Sequence, residues 1–326
     1  MDSASRARPV IALAMGDPCG ISPELTANVV ALDEVRNAAR VVVIGDRRVF
    51  EEGVKVAKTS AEPEEFVDLQ HLDPSTVQRG VASKAGGASA LANYRHALRM
   101  AADGKADAVC FTPFNKQAMR LAHPPYEDEI GFTSGVLGFK GAATEFNILE
   151  GLWNARVTSH IPLAKVSSAL SIDAIVGALE LTATALRAAG FQPPRIGVAA
   201  LNPHAGDGGN FGREEIDIIE PAVKKAKAKG LPADGPYPAD TVFVRAKAGQ
   251  FDAVLTMFHD QGQIAMKLLG FDRGVTLLGG YPFPICTPAH GTAYDIAGKG
   301  IANVGAARAA LLLAARMAHR STTVSS

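Results

Sequence analysis

The sequence predicts an α/β fold around a largely parallel sheet, and three observations carry that expectation. Short β-rich runs alternate with longer helical patterns, the signature of repeated βαβ units. The pattern Asp-Ala-Val recurs at Asp107–Val109 and Asp252–Val254, each time marking the entry of the chain into a run that reads as a buried strand. A length of 326 residues, 47% hydrophobic and 20% charged, suits one large α/β unit or two domains sharing a cleft, with enough chain to bury a core.

In chain order, the first strand is VIALAMG from Val10. With the arginines before it, this run imitates a signal peptide. It is shorter than a typical h-region, however, and stops at Gly16-Asp17-Pro18, which reads as a turn. Further strands are expected in RVVVIGD from Arg40, DAVCFTP from Asp107, RVTSHIP from Arg156, RIGVAAL from Arg195 and DAVLTMF from Asp252. Helices are expected in GGASALANYRHALRMAADG from Gly86, DAIVGALELTATALRAAG from Asp173, REEIDIIEPAVKKAKAKG from Arg213 and the alanine-rich ANVGAARAALLLAARMAHR from Ala302.

No repeat, low-complexity tract or apolar run long enough to span a bilayer interrupts this pattern. Lys plus Arg equals Asp plus Glu at 33 each, so no global field gathers nucleic acid or an anionic membrane, and neither is expected as a partner. Cys19, Cys110 and Cys286 are odd in number, widely spaced and without a Cys-x-x-Cys pair. They fit free thiols in a reducing cytoplasm, the expected location.

Functional residues in such sheets gather where strands end. Three histidines share that placement: His160 in RVTSHIPL, His204 in GVAALNPHAGDGG and His259 in AVLTMFHDQG, each just past an apolar strand. The carboxyl ends of parallel strands face one crevice, so three imidazoles far apart in sequence can converge there. Three neutral imidazoles with an open position make a catalytic divalent-metal site. A single loop histidine is more often a plain polar group, and His96, His123 and His319, which lack this placement, read as surface residues.

Two glycine-rich segments, MGDPCGISPEL and NPHAGDGGNFGREE, put small residues where backbone amides can approach a ligand ahead of a helix N-terminus. Neither is a G-x-G-x-x-G element. A third segment, AHGTAYDIAGKGIAN from Ala289 to Asn303, resembles the cofactor loop of isopropylmalate and isocitrate dehydrogenases. That resemblance implies that His290, Gly291 and Thr292 hold the adenosine part of NAD and that Asp295 contacts its ribose. A carboxylate there accepts both ribose hydroxyls and repels a 2′-phosphate, which favours NAD over NADP.

With TPFNK, TSHIPL, NPHAGDGG followed by GREE, PADTVF and HDQGQIAMK added, the matching elements run nearly end to end, and the sequence is identified as a member of the PdxA family of NAD-dependent 4-hydroxythreonine-4-phosphate dehydrogenases and relatives. The resemblance implies a two-domain α/β/α fold of the isocitrate/isopropylmalate dehydrogenase kind, with the active site in the cleft between domains. The implied layout is a cofactor domain of residues 1–128 and 272–326 and a substrate, metal and dimerisation domain of residues 129–271. It also implies that His160, His204 and His259 ligate one divalent metal, zinc first, with cobalt, manganese, nickel or magnesium as alternatives. The resemblance implies, too, that the active sites are shared across a homodimer. Lys267 and Asp240 match substrate-contacting positions; Lys267, Asp240 and Asp260 are the candidates for neutralising the substrate or moving protons.

The departures concern the substrate. Where the family carries Gly-His-Thr-Glu, this chain reads Gly131-Phe132-Thr133-Ser134, and an ungapped comparison puts Thr276 at a substrate-binding asparagine and Ile285 at a substrate-binding arginine. Loss of an imidazole and a guanidinium removes strong donors to a phosphate. The expected substrate is therefore a cis-dihydrodiol carboxylate of the terephthalate type, oxidised and decarboxylated at one site. The alternatives are 4-hydroxythreonine 4-phosphate, threonate or erythronate 4-phosphate, or a catalytically weak binding protein on the same scaffold.

Overall fold

An apolar pentapeptide closed by a Gly-Asp-Pro turn forms the first strand, β1 (Val10–Ala14), four of whose five residues are buried. In the computed structural model, which describes residues 8–60 and 62–324, the chain divides into two compact units, Met1–Ala142 with Tyr281–Ser326, and Ala143–Gly280.

The first unit continues through α1 (Ser22–Val30), α2 (Asp33–Ala38), β2 (Arg40–Gly45), α3 (Arg47–Ala57), β3 (Glu65–Asp68), α4 (Lys84–Ala102), β4 (Ala108–Phe111), α5 (Lys116–Ala122) and α6 (Glu129–Leu137). Helices α3 to α6 start where a side chain takes up a free amide: Ser83 accepts from the Gly86 amide ahead of α4, and Asp128 from that of Gly131 ahead of α6.

The second unit runs through β5 (Thr144–Leu149), β6 (Leu152–Arg156), α7 (Val166–Ala169), α8 (Ile172–Ala189), β7 (Ile196–Ala199), α9 (Glu220–Ala228), β8 (Ala233–Tyr237), α10 (Ala239–Lys247), β9 (Ala253–Thr256), α11 (His259–Gly270) and β10 (Val275–Gly279). The chain then returns to the first unit with β11 (Ile285–Pro288) and α12 (Gly305–Val324).

The strands of the first unit lie in the order β3-β2-β1-β4-β11, all parallel. Those of the second lie in the order β10-β5-β6-β9-β7-β8, parallel except for β5, which runs against both neighbours. The core of the second unit includes Leu152, Val254, Phe251, Val242, Phe243 and Met266, which seat α10 and α11 on the sheet.

The divisions expected at 128/129 and 271/272 fall in the structure at 142/143 and 280/281. Helix α6 packs on α4 of the first unit, and β10 pairs with β5 of the second. The strand expected in RVTSHIP lies four residues upstream. Polar Asn154 disguises β6, yet it is buried, with its amide nitrogen bonded to the Val254 carbonyl (3.1 Å) and the Thr256 hydroxyl (3.2 Å). The helix expected from Arg213 opens as a π-helix over Glu215–Ile219 before α9, and the C-terminal helix begins at Gly305 rather than Ala302. All three cysteines are buried free thiols. Among the described residues no single helix is long and apolar enough to cross a membrane.

Candidate functional site

In the second unit the site is built by neighbouring parallel strands. Arg156 of β6 lies opposite Thr256 of β9, and the pairing continues past both strands: the Val157 amide donates to the Thr256 carbonyl (2.9 Å) and that of Thr158 to the Met257 carbonyl (3.1 Å). Four residues beyond Arg156 and three beyond Thr256, His160 and His259 therefore come together, with ring centroids 5.6 Å apart and planes at 44°. Strand β7 flanks β9 on the other side, so the turn carrying His204 also leaves the same end of the sheet.

His259 opens α11, and a glutamine that the sequence reading passed over fixes that helix start. The Gln261 carboxamide accepts from the Met257 amide (2.7 Å) and donates to the Ala200 carbonyl (2.7 Å), tying the ends of β9 and β7 together. Close packing completes the seat: a Cβ built on Gly262 would lie 2.1 Å from Asn154 Oδ1. Only a hydrogen fits between α11 and β6 at that point.

Asp260 lies 2.7 Å from His259 Nδ1 through its Oδ1 and is itself largely exposed. With Nδ1–H donating to this carboxylate, the lone pair of His259 sits on Nε2, the arrangement that carboxylate–imidazole pairs use to aim a metal ligand. Lys267 is exposed two turns along α11, and Asp240 is exposed in the first turn of α10, which packs on the turn bearing His204. Thr276 is half-buried on β10, opposite Asn147. Asn147 Oδ1 accepts from Arg156 (2.9 Å) and from Gln263 of α11 (2.7 Å).

In the first unit the loop after β11 is pinned to the turn after β1. The Ile21 amide donates to the Thr292 carbonyl (3.0 Å), the Gly298 amide to the Glu24 carboxylate (2.9 Å), and the Tyr294 hydroxyl to Asp17 Oδ2 (2.5 Å). Burial pushes the Asp17 carboxyl up, against the lowering effect of its hydrogen bonds from Tyr294 and Cys19; it also pushes up the Tyr294 hydroxyl. Thr292 is buried, while Gly291 and Asp295 are exposed. A cavity of about 650 Å³ beside this loop is lined by Gly20, Glu24, Arg48, Arg79 and Gly298, among others.

Two of the three positions that suggested a changed substrate, Phe132 and Ile285, sit differently from a pocket lining, as does the neighbouring Thr133. Phe132 of α6 is buried among Tyr94, His123 and Tyr126, with the Arg95 guanidinium 5.2 Å above its ring. Thr133 is fully buried, its hydroxyl 2.6 Å from that of Tyr94. Ile285 has no exposed surface and pairs in register with Val109 in the sheet. Of the histidines set aside as surface groups, His123 is exposed, His96 half-buried, and the His319 side chain lies outside the described residues.

The donor chemistry fits a divalent ion in part. Two imidazoles at this separation can both approach one ion at the usual metal–nitrogen distance of about 2.0–2.1 Å. His204 does not join them. Among the described residues no group of three or more His, Cys, Asp or Glu side chains is placed to hold a metal. The first-unit loop also fits a ligand, since His290 Nε2 is buried without a hydrogen-bond partner while its Nδ1 lies 3.0 Å from the Gly291 carbonyl.

Imidazoles at parallel strand ends in one unit, and a glycine-rich loop bearing an aspartate in the other, lie where α/β proteins place their ligand sites. The chain belongs to the PdxA family, whose profile, described as "Pyridoxal phosphate biosynthetic protein PdxA", matches residues 37–314. It is 60% identical over 99% of its length, and 97% of the relative's, to a Rhizobium meliloti protein named "Putative 4-hydroxythreonine-4-phosphate dehydrogenase 2". A solved 4-hydroxythreonine-4-phosphate dehydrogenase from Klebsiella pneumoniae superposes with a TM-score of 0.83 at 33% identity, over 97% of this chain and 99% of that one. A terephthalate 1,2-cis-dihydrodiol dehydrogenase from Burkholderia xenovorans is more distant, with a TM-score of 0.67 at 29% identity over 95% and 98% of the two chains.

Two outcomes follow from this geometry. Gly262→Ala forces α11 off β6 and is expected to destabilise the fold by about 1–3 kcal/mol and to weaken divalent-metal binding; a calorimetric titration matching the parent chain would count against the seat described for His259. Asp17 has its carboxyl pKa raised in the fold. It therefore contributes stability that is present below the unfolded carboxylate pKa of about 3.9 and is lost as pH rises through the folded value. Asp17→Asn is expected to remove that part of the fall in melting temperature with rising pH, and an unchanged slope would show that Asp17 does not carry it.

Proposed function

We propose that this chain is an NAD- and divalent-metal-dependent dehydrogenase that oxidises the secondary alcohol of a phosphorylated four-carbon hydroxy acid, 4-hydroxythreonine 4-phosphate or a close analogue such as threonate 4-phosphate. The observation that carries the reading is the convergence of His160 and His259, with Asp260 on His259 Nδ1, at the ends of adjacent parallel strands. The names of the relatives support the phosphorylated substrate over the terephthalate-type dihydrodiol that the sequence substitutions suggested. Packing is consistent with that preference: Phe132 is held among other rings and Ile285 inside the sheet, so neither presents an apolar wall to a substrate.

His160 and His259 would hold the ion from this chain, with Asp260 fixing the tautomer of His259. A divalent ion held there supplies positive charge that eases loss of the alcohol proton near neutral pH and favours decarboxylation when a carboxylate lies β to the new ketone. Lys267 meets a substrate anion as an ammonium on the exposed face of α11. Asp240, on the first turn of α10, and Asp260 are the carboxylates available to accept a proton. His290, Gly291 and Thr292 would hold the adenosine of NAD, and Asp295 would accept from both ribose hydroxyls, which fixes the distance and orientation for hydride transfer.

A homodimer with shared sites is part of the same proposal. One chain places two imidazoles together and leaves His204 apart, as expected if the third ligand comes from a second copy. Apolar residues exposed in the second unit, Ile264 and Leu268 on α11 with Leu163 and Phe211 on loops, are a surface suited to such a copy.

NADH formation with added divalent metal tests the substrate. Turnover of either phosphorylated acid, with none of the terephthalate dihydrodiol, is expected; the reverse result would return the reading to the dihydrodiol. His204→Ala and His259→Ala are each expected to lower turnover by on the order of 100-fold or more. Mixing the two after dissociation is expected to restore about one quarter of the sites, because a mixed dimer keeps one intact set. No recovery on mixing would place all three ligands on one chain.

A further inference from the structure

The segment Gly212–Glu215, GREE, plays no part in the chemistry above, yet its two carboxylates hold the turn that carries His204. Five consecutive residues there are left-handed, with φ of 53° at His204, 54° at Ala205, 80° at Gly206, 45° at Asp207 and 64° at Gly208. Three of the five carry a Cβ, which the left-handed region opposes. Such a run persists only when its surroundings over-determine it.

Glu215 supplies much of that determination. Its side chain is completely buried. Oε1 accepts from the amides of Leu201 (2.8 Å) and Asn202 (2.7 Å), and Oε2 accepts from the Asn202 carboxamide nitrogen (2.9 Å). Glu214 Oε2 accepts from that same nitrogen (2.7 Å), and its Oε1 from the Ser167 hydroxyl (2.6 Å). Successive residues on an α-helix diverge by about 100°; here the π-helix beginning at Glu215 accompanies two neighbours that face one target. On the turn's own side, a Cβ at Gly206 would come within 2.8 Å of Glu215 Oε2, so this position admits the carboxylate only as glycine.

We propose that Glu215, assisted by Glu214, is a positioning residue for His204. It clamps Leu201 and Asn202 as they leave β7, forces the following turn through the left-handed region, and so presents the exposed imidazole in a fixed direction for a divalent ion. The inference rests on the metal reading above and deepens it, because it names what orders the ligand that stands apart from the His160–His259 pair.

Cobalt(II) binding to the full chain, followed by calorimetry and by the visible spectrum of the bound ion, tests it alongside amide hydrogen exchange over residues 201–208. Glu215→Ala is expected to speed exchange in that segment, to alter the cobalt spectrum and to weaken cobalt affinity by about 10–100-fold. Glu215→Gln, which keeps one acceptor for the two backbone amides, is expected to recover most of that loss. Glu215→Ala binding cobalt within about twofold of the parent, while His204→Ala loses it, would overturn the positioning role. Parental affinity in both variants would instead remove the metal reading, and this inference with it. Where Glu215→Ala fails to fold, Glu215→Gln decides: faster exchange over residues 201–208 with parental affinity and spectrum overturns the proposal.

Discussion

Parallel pairing of β6 with β9 is the constraint on which the second-unit site depends. The strands are held by backbone hydrogen bonds, and the pairing does not stop where the regular ladder ends, because Val157 and Thr158 still donate to the tail of β9. That extension brings His160 beside His259. It leaves little freedom for α11, whose first turn must start there and whose Gly262 must pass against Asn154. A change in how β6 meets β9 would therefore act on both imidazoles at once, whereas a change on the outer face of α11 would not.

The first unit solves a different problem with a different interaction. The glycine-rich loop after β11 has few side chains with which to hold itself, so its restraints come from the turn after β1 and the start of α1: Asp17, Ile21 and Glu24. Burying Asp17 carries an electrostatic cost that the Tyr294 hydroxyl and the Cys19 amide only partly offset, which is why its carboxyl is pushed up. A stability cost accepted beside an open loop is the usual pattern where backbone order serves binding rather than folding.

Much of this was legible in the sequence where one-dimensional signals report local physics. The apolar runs of β1, β2, β4, β7 and β9, the helical periodicity of α4 and α8, and the placement of three histidines just past strands all survive in the structure. Strands β3, β5, β8, β10 and β11 are not evident in the sequence; β3 is half-buried throughout, and β8 contains the Gly235-Pro236 pair. Strand β6 was shifted because a buried asparagine looks like a loop residue until its partners are known. Gln261, Glu214 and Glu215 were passed over for the same reason. Their roles lie in hydrogen bonds to backbone atoms that only folding brings near, although the repeated acid in GREE, next to a glycine-rich turn, was a signal of a clamp.

Substitutions at Phe132 and Ile285 show the limit of reading a pocket by position. Loss of a donor at a family site says that the donor is gone; it does not say that the new side chain takes its place in the site. Phe132 turns its ring into the cluster of Tyr94, Tyr126 and His123, and Ile285 fills the sheet opposite Val109. The apolar replacements thus answer to the core of the first unit. The second unit instead keeps polar groups beneath α11, where buried Arg156 and Asn147 bond to each other and Asn147, opposite Thr276, accepts from Gln263 of that helix. Arg156 is held there by an ion pair with Glu145 despite a burial that lowers its pKa.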